Sequence, residues 1–535
     1  MPASHIEISL RLASRRETAA NLFVTLPFLG LFLVQLIHHQ PWQDELNGWG
    51  MAIVSHNLPT LYHYVHYEGH PSLWYLPLWM AAHWTHSPWG MTCVQAVIGT
   101  GIYLIIGLLS PFSVPEKLLL FSSYFVSFEY TVISRDYGLC LLLVLVYAYV
   151  RARHPEKLVL LACLLGLIAN TDMVGVILSG ALVLEYAAAV LFATPRQPKP
   201  SSIQLCTASA VYIALLGFCV WSLRPAGDIS ARMYGHLFSE ATSLKHLRHV
   251  VAAFTAVPLF PISSKFPDHF WGYNSSVHSL YFWLAPPFLV IAIYFLFRRQ
   301  RNLLILIGVT AVGCIAFFQL ISPQPAVRHV GVIFMAFVLA LWLSRQRNPA
   351  IPKIAALLLA VNAVAGILAV YGQWHRPFSN ASATAGWIRS HGLRNATLLG
   401  STDMGTAGVA AELERPIYFL DCNCADTFIL GSSRRDSFDS AQVVPRIVAA
   451  GRQIPLNGAI LILTRLLDGP ELHALGQNGL SAVQLTQFTG AEVFGEDFFL
   501  YRLEKPDFEP RPVREATRNR MQLQSPSPSG PVYPL

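Results

Sequence analysis

Three carboxylates bracket one short polar stretch. Asp44 and Glu45 stand at its start, and Glu68 lies near its end within Tyr67-Glu68-Gly69-His70-Pro71. A carboxylate held at a membrane surface can take the proton of an acceptor hydroxyl. Asp44, Glu45 and Glu68 are therefore the catalytic candidates, with Asp44 the first choice as general base. His70 adds an imidazole beside them, so that Asp44, Glu68 and His70 form a candidate set for a divalent metal ion. A solvated loop rich in acids is the plainer account of the pair. For His63, His66 and His70, which share one helical face, interfacial hydrogen bonding is the plainer account of the rings.

Cations of a kind that suits phosphate lie far along the chain. Arg135 sits in Ser134-Arg135-Asp136-Tyr137, and Arg328-His329 follows Pro323 and Pro325. A guanidinium is permanently charged and forked, which matches phosphate oxygens. Arg135, Arg328 and His329 are candidates for facing a lipid phosphate, while Tyr67, His70 and Tyr137 are candidates for lining a substrate cavity. A charge inside a membrane segment costs about 2.5–3.5 kcal/mol, so it is paired or functional. A structural pairing of Arg135 with Glu129 or Asp136 competes with the phosphate reading. Asn170-Thr171-Asp172 reads as a turn between two short spans.

These residues need elements to hold them, and composition says which. Of 535 residues, 53% are hydrophobic and 13% charged, with a mean hydropathy of +0.45. A soluble domain carries about 25% charged residues. The deficit arises from apolar runs of roughly 17–22 residues, the length that crosses a bilayer. The net charge of +7 sits largely in short connectors such as Arg298-Arg299-Gln300-Arg301. That is the positive-inside pattern of a membrane protein and not a nucleic-acid surface. The expected architecture is a polytopic α-helical membrane protein with about 11–13 transmembrane helices.

Spans are expected near 20–38, 71–86, 89–110, 116–133, 135–151, 157–172, 174–194, 203–222, 277–297, 302–321, 327–344 and 351–372. A cytoplasmic N-terminus and an external C-terminal region require an odd number of crossings. One of the short segments 71–86, 116–133 or 157–172 is then expected to be re-entrant, or two of the expected spans are misplaced. The first external loop is 39–70, with 46–57 and 58–68 as short helices lying in the interface. The long external loop is 223–275. No cleavable leader precedes the first span, which stays as an anchor. Cys422 and Cys424 have one residue between them, which argues against an unstrained disulfide.

From 376 the apolar runs shorten and charge rises. Strands are expected at 396–400, 416–421, 459–464 and 497–503, and helices at 381–391, 404–413, 439–451 and 470–478. This alternation predicts a small extracytoplasmic α/β domain over 376–505 with a largely parallel sheet. The Pro-, Ser- and Arg-rich tail 506–535 is expected to be disordered.

Taken in order, the Asp44-Glu45 pair, Tyr67-Glu68-Gly69-His70-Pro71-Ser72-Leu73-Trp74-Tyr75-Leu76 and Ser134-Arg135-Asp136-Tyr137 resemble the GT-C superfamily of membrane glycosyltransferases. The nearest resemblance is to bacterial relatives of protein O-mannosyltransferases and lipid A aminoarabinose transferase. It implies transfer of a sugar from a polyprenyl-phosphate donor outside the membrane, with residues 1–375 as the transmembrane part. Asp44 would match the family's first-loop carboxylate, Glu68 a second one, and Arg135 and Arg328 the carrier-phosphate ligands. It implies membrane lipids as surroundings, no nucleic-acid partner, and a bacterial inner (cytoplasmic) membrane location. Metal dependence varies among such enzymes and stays open. The competing classes are a transporter or lipid flippase, with Glu129, Arg135, Asp136 and Asp172 as a polar pathway, and a non-catalytic assembly protein. The absence of an internal repeat speaks against the transporter.

Overall fold

Seven helices among the described residues are long and apolar enough to cross a bilayer: Glu17–His38, Trp89–Leu109, Met173–Leu191, Ser202–Ser222, Arg301–Leu320, Val327–Arg345 and Lys353–His375. The computed structural model describes residues 5–191, 201–230, 238–239, 241–263, 265–271, 281–321, 325–345, 352–435 and 442–505. The tail expected at 506–535 lies outside them, as does part of the 223–275 loop. The chain is thus an integral membrane protein with a polytopic helical body.

The first ten helices, with the turns between them, carry most of the site. They are α1 (His5–His38), α2 (Gln43–Val54), α3 (Leu58–Val65), α4 (Tyr75–Ala82), α5 (Trp89–Leu104), α6 (Val114–Ser122), α7 (Asp136–Arg153), α8 (Leu158–Ala169), α9 (Met173–Leu191) and α10 (Ser202–Ser222). The three segments expected to be short are short. At 1.5 Å per residue, the eight residues of α4 reach about 12 Å against a hydrocarbon core of about 30 Å. The segment 116–133 breaks after α6 into a separate turn of helix, Phe125–Glu129, and α8 has 12 residues. Of these pieces Phe125–Glu129 is wholly buried, while α4, α6 and α8 each bury one side. The helix Val332–Arg345 is buried on every side from Val332 to Leu343, as suits a sequence apolar all round.

The interfacial helices expected at 46–57 and 58–68 correspond to α2 and α3, but α2 does not lie on a lipid surface. Leu46, Trp49 and Met51 are fully buried. One side of α2 packs on α4 and the other on the helix Asp403–Leu413 of the C-terminal region. Gly50 lets the segment around Phe428 pack on α2 as well, because a Cβ there would collide with the Cβ of Phe428. The amphipathic pattern was real, but protein covers the apolar face.

The C-terminal region forms a six-stranded sheet of order β3-β2-β1-β4-β6-β5, from β1 (Leu398–Ser401), β2 (Ile417–Phe419), β3 (Cys424–Asp426), β4 (Ile460–Leu463), β5 (Ser481–Phe488) and β6 (Phe498–Glu504). Only β2, β1 and β4 run parallel; β3, β6 and β5 pair antiparallel. The sheet is therefore mixed, and β3 and β5 were not foreseen. Side chains alternate across it as the strand period requires. Leu399, Leu461 and Leu463 face the domain's own small core. Leu398, Ile460 and Ile462 face the other way and join the core that runs into the membrane body. The two regions share packing, so the sheet is a fixed wall over the first loop. Cys422 and Cys424 are joined as a disulfide, contrary to expectation. Asn423 between them adopts a left-handed backbone (φ 53), which turns the chain tightly enough to bring their Cα atoms to 5.2 Å, within disulfide range.

Candidate active site

Adjacent residues on a helix point about 100° apart, and the first turn of α2 separates Asp44 from Glu45 in this way. Glu45 turns inward and is 1% exposed. One carboxylate oxygen accepts from the Trp42 backbone N–H (3.1 Å) and meets His39 Nε2 (2.9 Å). The other accepts from the Ser134 backbone N–H at 2.5 Å. Reaching back to the residue before the helix is the usual office of a Glu at its third position. All of this ties the first turn of α2 to the start of α7.

Asp44 turns outward, toward the two arginines. Its Oδ2 lies 3.3 Å from an Arg328 guanidinium nitrogen and 3.6 Å from Arg135 Nη1. Arg135 also donates to the Asp44 carbonyl at 2.9 Å. The Arg328 guanidinium lies over the Trp42 ring, 5.5 Å from its centre. Arg135 precedes the first residue of α7, and Arg328 lies in a short turn of helix, Val327–Val330. Elements distant in sequence thus aim two forked cations at one carboxylate.

Glu68 completes the acidic side. It accepts from Asn47 Nδ2 at 3.1 Å and, more weakly, from the Tyr75 hydroxyl at 3.4 Å. Burial pushes its carboxyl above the ordinary value, against the pull of His70 and Arg135. Asn47 is three residues after Asp44, so both project from the same side of α2. Its Oδ1 also accepts from the Ile429 backbone N–H at 2.6 Å. One side chain therefore ties the first loop to the C-terminal region.

A cavity of about 170 Å³ opens among these groups. Asp44, Asn47, Tyr67, Glu68 and Arg135 line it from the membrane body, and Met404, Ile429 and Gly431 from the C-terminal region. The Tyr67 hydroxyl donates to the Asp228 carboxylate, and burial, with that bond second, pushes its pKa up to about 12. The strand-like contact of Ile229 with Ser432 closes the rim, helped by Ser433 donating to the Asp228 carbonyl at 2.7 Å. Gln43, beside Asp44, donates its N–H to the buried Glu496 at 2.7 Å. Burial pushes the Glu496 carboxyl up to about 8.

The remaining predicted residues fall elsewhere. His329 does not line this cavity; its Nδ1 accepts from the Ala326 N–H at 2.9 Å, and its ring packs on Tyr137 and Phe318. Tyr137 is buried behind Arg135 rather than in the cavity wall. Glu129 pairs with neither arginine, instead accepting from the Tyr124 hydroxyl (2.8 Å) and Trp271 Nε1 (3.0 Å).

The first-loop trio proposed for a metal is not the one brought together. Asp44 faces the arginines and Glu68 faces Asn47, so His70 meets other acids. Its Nδ1 lies 3.0 Å from Asp172 Oδ1 and 3.8 Å from Asp136 Oδ2. His70, Asp136 and Asp172 are the group among the described residues whose donor atoms all lie within 4.8 Å of one another. Burial works to lower the His70 pKa, but the hydrogen bond to Asp172 and the charges of both acids outweigh it and hold the ring above its ordinary value. Asp172 was read as part of a turn. An acid in so apolar a stretch was the available signal. For Met404 and Ile429 there was none.

No known protein family matches the sequence, and no curated relative matches it. A solved structure similar to this chain is that of ArnT from Cupriavidus metallidurans bound to undecaprenyl phosphate. The two share 13% identity with a TM-score of 0.48, over 90% of this chain and 97% of that one.

Proposed function

We propose that this protein transfers a sugar from a polyprenyl-phosphate-linked donor to an acceptor at the outer face of the membrane. The observation that carries the reading is the convergence of Asp44, Glu68 and Arg135 on one cavity between the helical body and the sheet, with Arg328 held to Asp44 at 3.3 Å. Such a place suits a substrate with an isoprenoid tail and a charged, sugar-bearing head. The two guanidiniums, resting on Asp44, are set to move onto the donor phosphate. Their departure frees Asp44 to take the acceptor hydroxyl proton as that oxygen bonds to the anomeric carbon. The bond from that carbon to the phosphate oxygen breaks, and polyprenyl phosphate leaves with its charge met by Arg135 and Arg328. One displacement assisted by one base inverts the anomeric centre; a second, nucleophilic carboxylate would be needed for retention.

Glu68, held by Asn47, orients the acceptor in this scheme. Glu45 acts as a positioning residue, since both of its oxygens are engaged in holding the loop. His329, through its bond from the Ala326 N–H, holds the short turn of helix that carries Arg328. The C-terminal region lies outside the inner membrane of a bacterium and supplies the acceptor side of the cavity through Met404, Ile429 and Gly431. The test is release of polyprenyl phosphate from a panel of polyprenyl-phosphate-linked sugars by the purified chain in nanodiscs. Release by the native chain, lost in Asp44→Asn with the same melting curve, supports the reading. Equal release by both chains overturns it.

A further inference from the structure

We propose that His70, Asp136 and Asp172 bind one divalent cation of the zinc or manganese class, a site separate from the Asp44 cavity and joined to it through Arg135. Three elements bring the donors together. Leu73 donates its backbone N–H to the Asn170 carbonyl at 3.1 Å, which pins the segment after His70 to the turn between α8 and α9. Asp172 Oδ2 accepts from the Val174 N–H at 3.0 Å, leaving Oδ1 facing His70. Asp136 begins α7.

The spacing suits an ion. Bonds of about 2.1 Å in a tetrahedral arrangement place ligand atoms roughly 3.4 Å apart. The separations from His70 Nδ1 of 3.0 and 3.8 Å bracket that value. One imidazole with two carboxylates selects zinc or manganese over calcium, which takes six to eight oxygens. Asp136, 3% exposed, meets Arg135 Nε with its Oδ1 at 3.8 Å and turns its Oδ2 to His70. A second observation comes from the hydroxyl of Tyr137, 1% exposed and within electrostatic reach of both acids, which has no hydrogen-bond partner. A buried polar atom left without a partner costs about 1–3 kcal/mol, so such atoms tend to face a ligand. The His70 side chain is 25% exposed, which gives an ion a way in from water.

Charge argues the same way. Among the described residues, Asp44, Glu68, Asp136 and Asp172 face two guanidiniums, those of Arg135 and Arg328, and the His70 imidazole. The acids outnumber these cations even with the imidazole charged, a balance that disfavours an anion; a divalent ion bound to neutral His70 restores neutrality and leaves the arginines for phosphate. The site stands on its own geometry, and only this role in anion binding rests on the proposed function.

The test uses the full chain in detergent, stripped with chelator and titrated with Mn²⁺ (by electron paramagnetic resonance) and with Zn²⁺ (by calorimetry), with no donor or acceptor present. The expected result is one ion per chain and a melting temperature that rises with ion concentration. Asp172→Asn and His70→Gln should each weaken binding at least tenfold, while Glu471→Gln on the exposed sheet domain should not change it. Should Asp172→Asn fail to fold, His70→Gln decides, because its ring is part-exposed. Absence of saturable binding of either ion, or binding that both variants leave unchanged, overturns the site. Because no sugar transfer is measured, either outcome leaves the transferase reading to its own test.

Discussion

Asp44 and Arg328, from opposite ends of the helical body, meet at 3.3 Å, and Arg135 reaches the same carboxylate oxygen at 3.6 Å. In the proposed reaction this triad couples the fate of the base to the fate of the phosphate ligands. Asp44→Asn keeps the shape and removes the base. It is expected to lower the rate of sugar transfer by about 10²–10⁴-fold, the usual contribution of a positioned base. Release of polyprenyl phosphate from nanodiscs measures it, with an unchanged melting curve as control.

Arg328→Lys and Arg135→Lys keep the charge and lose the fork. A point charge cannot meet two phosphate oxygens as a guanidinium does. Each substitution should weaken binding of a short-chain polyprenyl phosphate about tenfold, read by calorimetry. The Arg328 variant also loses its stacking on Trp42, so it should suffer more.

Glu45→Gln separates positioning from chemistry. The amide presents an NH2 where the carboxylate accepts from two backbone N–H groups and meets His39. Losing one hydrogen bond to a charged group costs roughly 1.5–3 kcal/mol. Denaturation midpoint and transfer rate should fall together, unlike in Asp44→Asn, where the rate alone falls.

Glu496 makes stability depend on pH. Its carboxyl stands at about 8 in the fold, against an ordinary value of 4.5. Below the ordinary value the folded and unfolded chains both hold the proton. Between the two values the folded chain keeps a proton that the unfolded chain has released, so stability falls as pH rises. Above about 8 the contribution is gone. Melting temperatures from pH 4.5 to 8.5 should show this decline, and Glu496→Gln, which keeps an acceptor for the Gln43 N–H, should flatten it.

Asn47→Ala cuts the tie between Glu68 and the Ile429 backbone. Each hydrogen bond is worth about 0.5–1.5 kcal/mol. Amide hydrogen exchange over 427–431 should accelerate, and the acceptor KM should rise with less change in kcat. Unchanged exchange would show that packing of Gly50 against Phe428 holds this segment by itself.

Much of the fold was legible because its signals are local. Apolar run length sets which helices can cross; it counted 71–86, 116–133 and 157–172 as spans, with one expected to fail, whereas all three hold only short helices. The strands β1, β2, β4 and β6 each carry a compact apolar run. β5 escaped because Ser481–Phe488 is an edge strand without a buried face, and β3 because three residues hold no pattern.

The sequence by itself determined that the chain is a helical membrane protein ending in an α/β region; it marked Arg135 and Arg328 as charges costly at a span end, and Asp44 and Glu68 as candidate carboxylates of the first loop. Tertiary structure decided what each of them faces. Asp44 and Glu45 are neighbours in sequence, yet the helix turn sends one to the arginines and the other into the core. His70 left its expected partners for Asp136 and Asp172, because a backbone hydrogen bond from Leu73 to Asn170 ties its segment to a distant turn. Periodicity and composition describe one segment at a time. Partnership depends on where the chain returns, and that is set by packing among residues hundreds of positions apart.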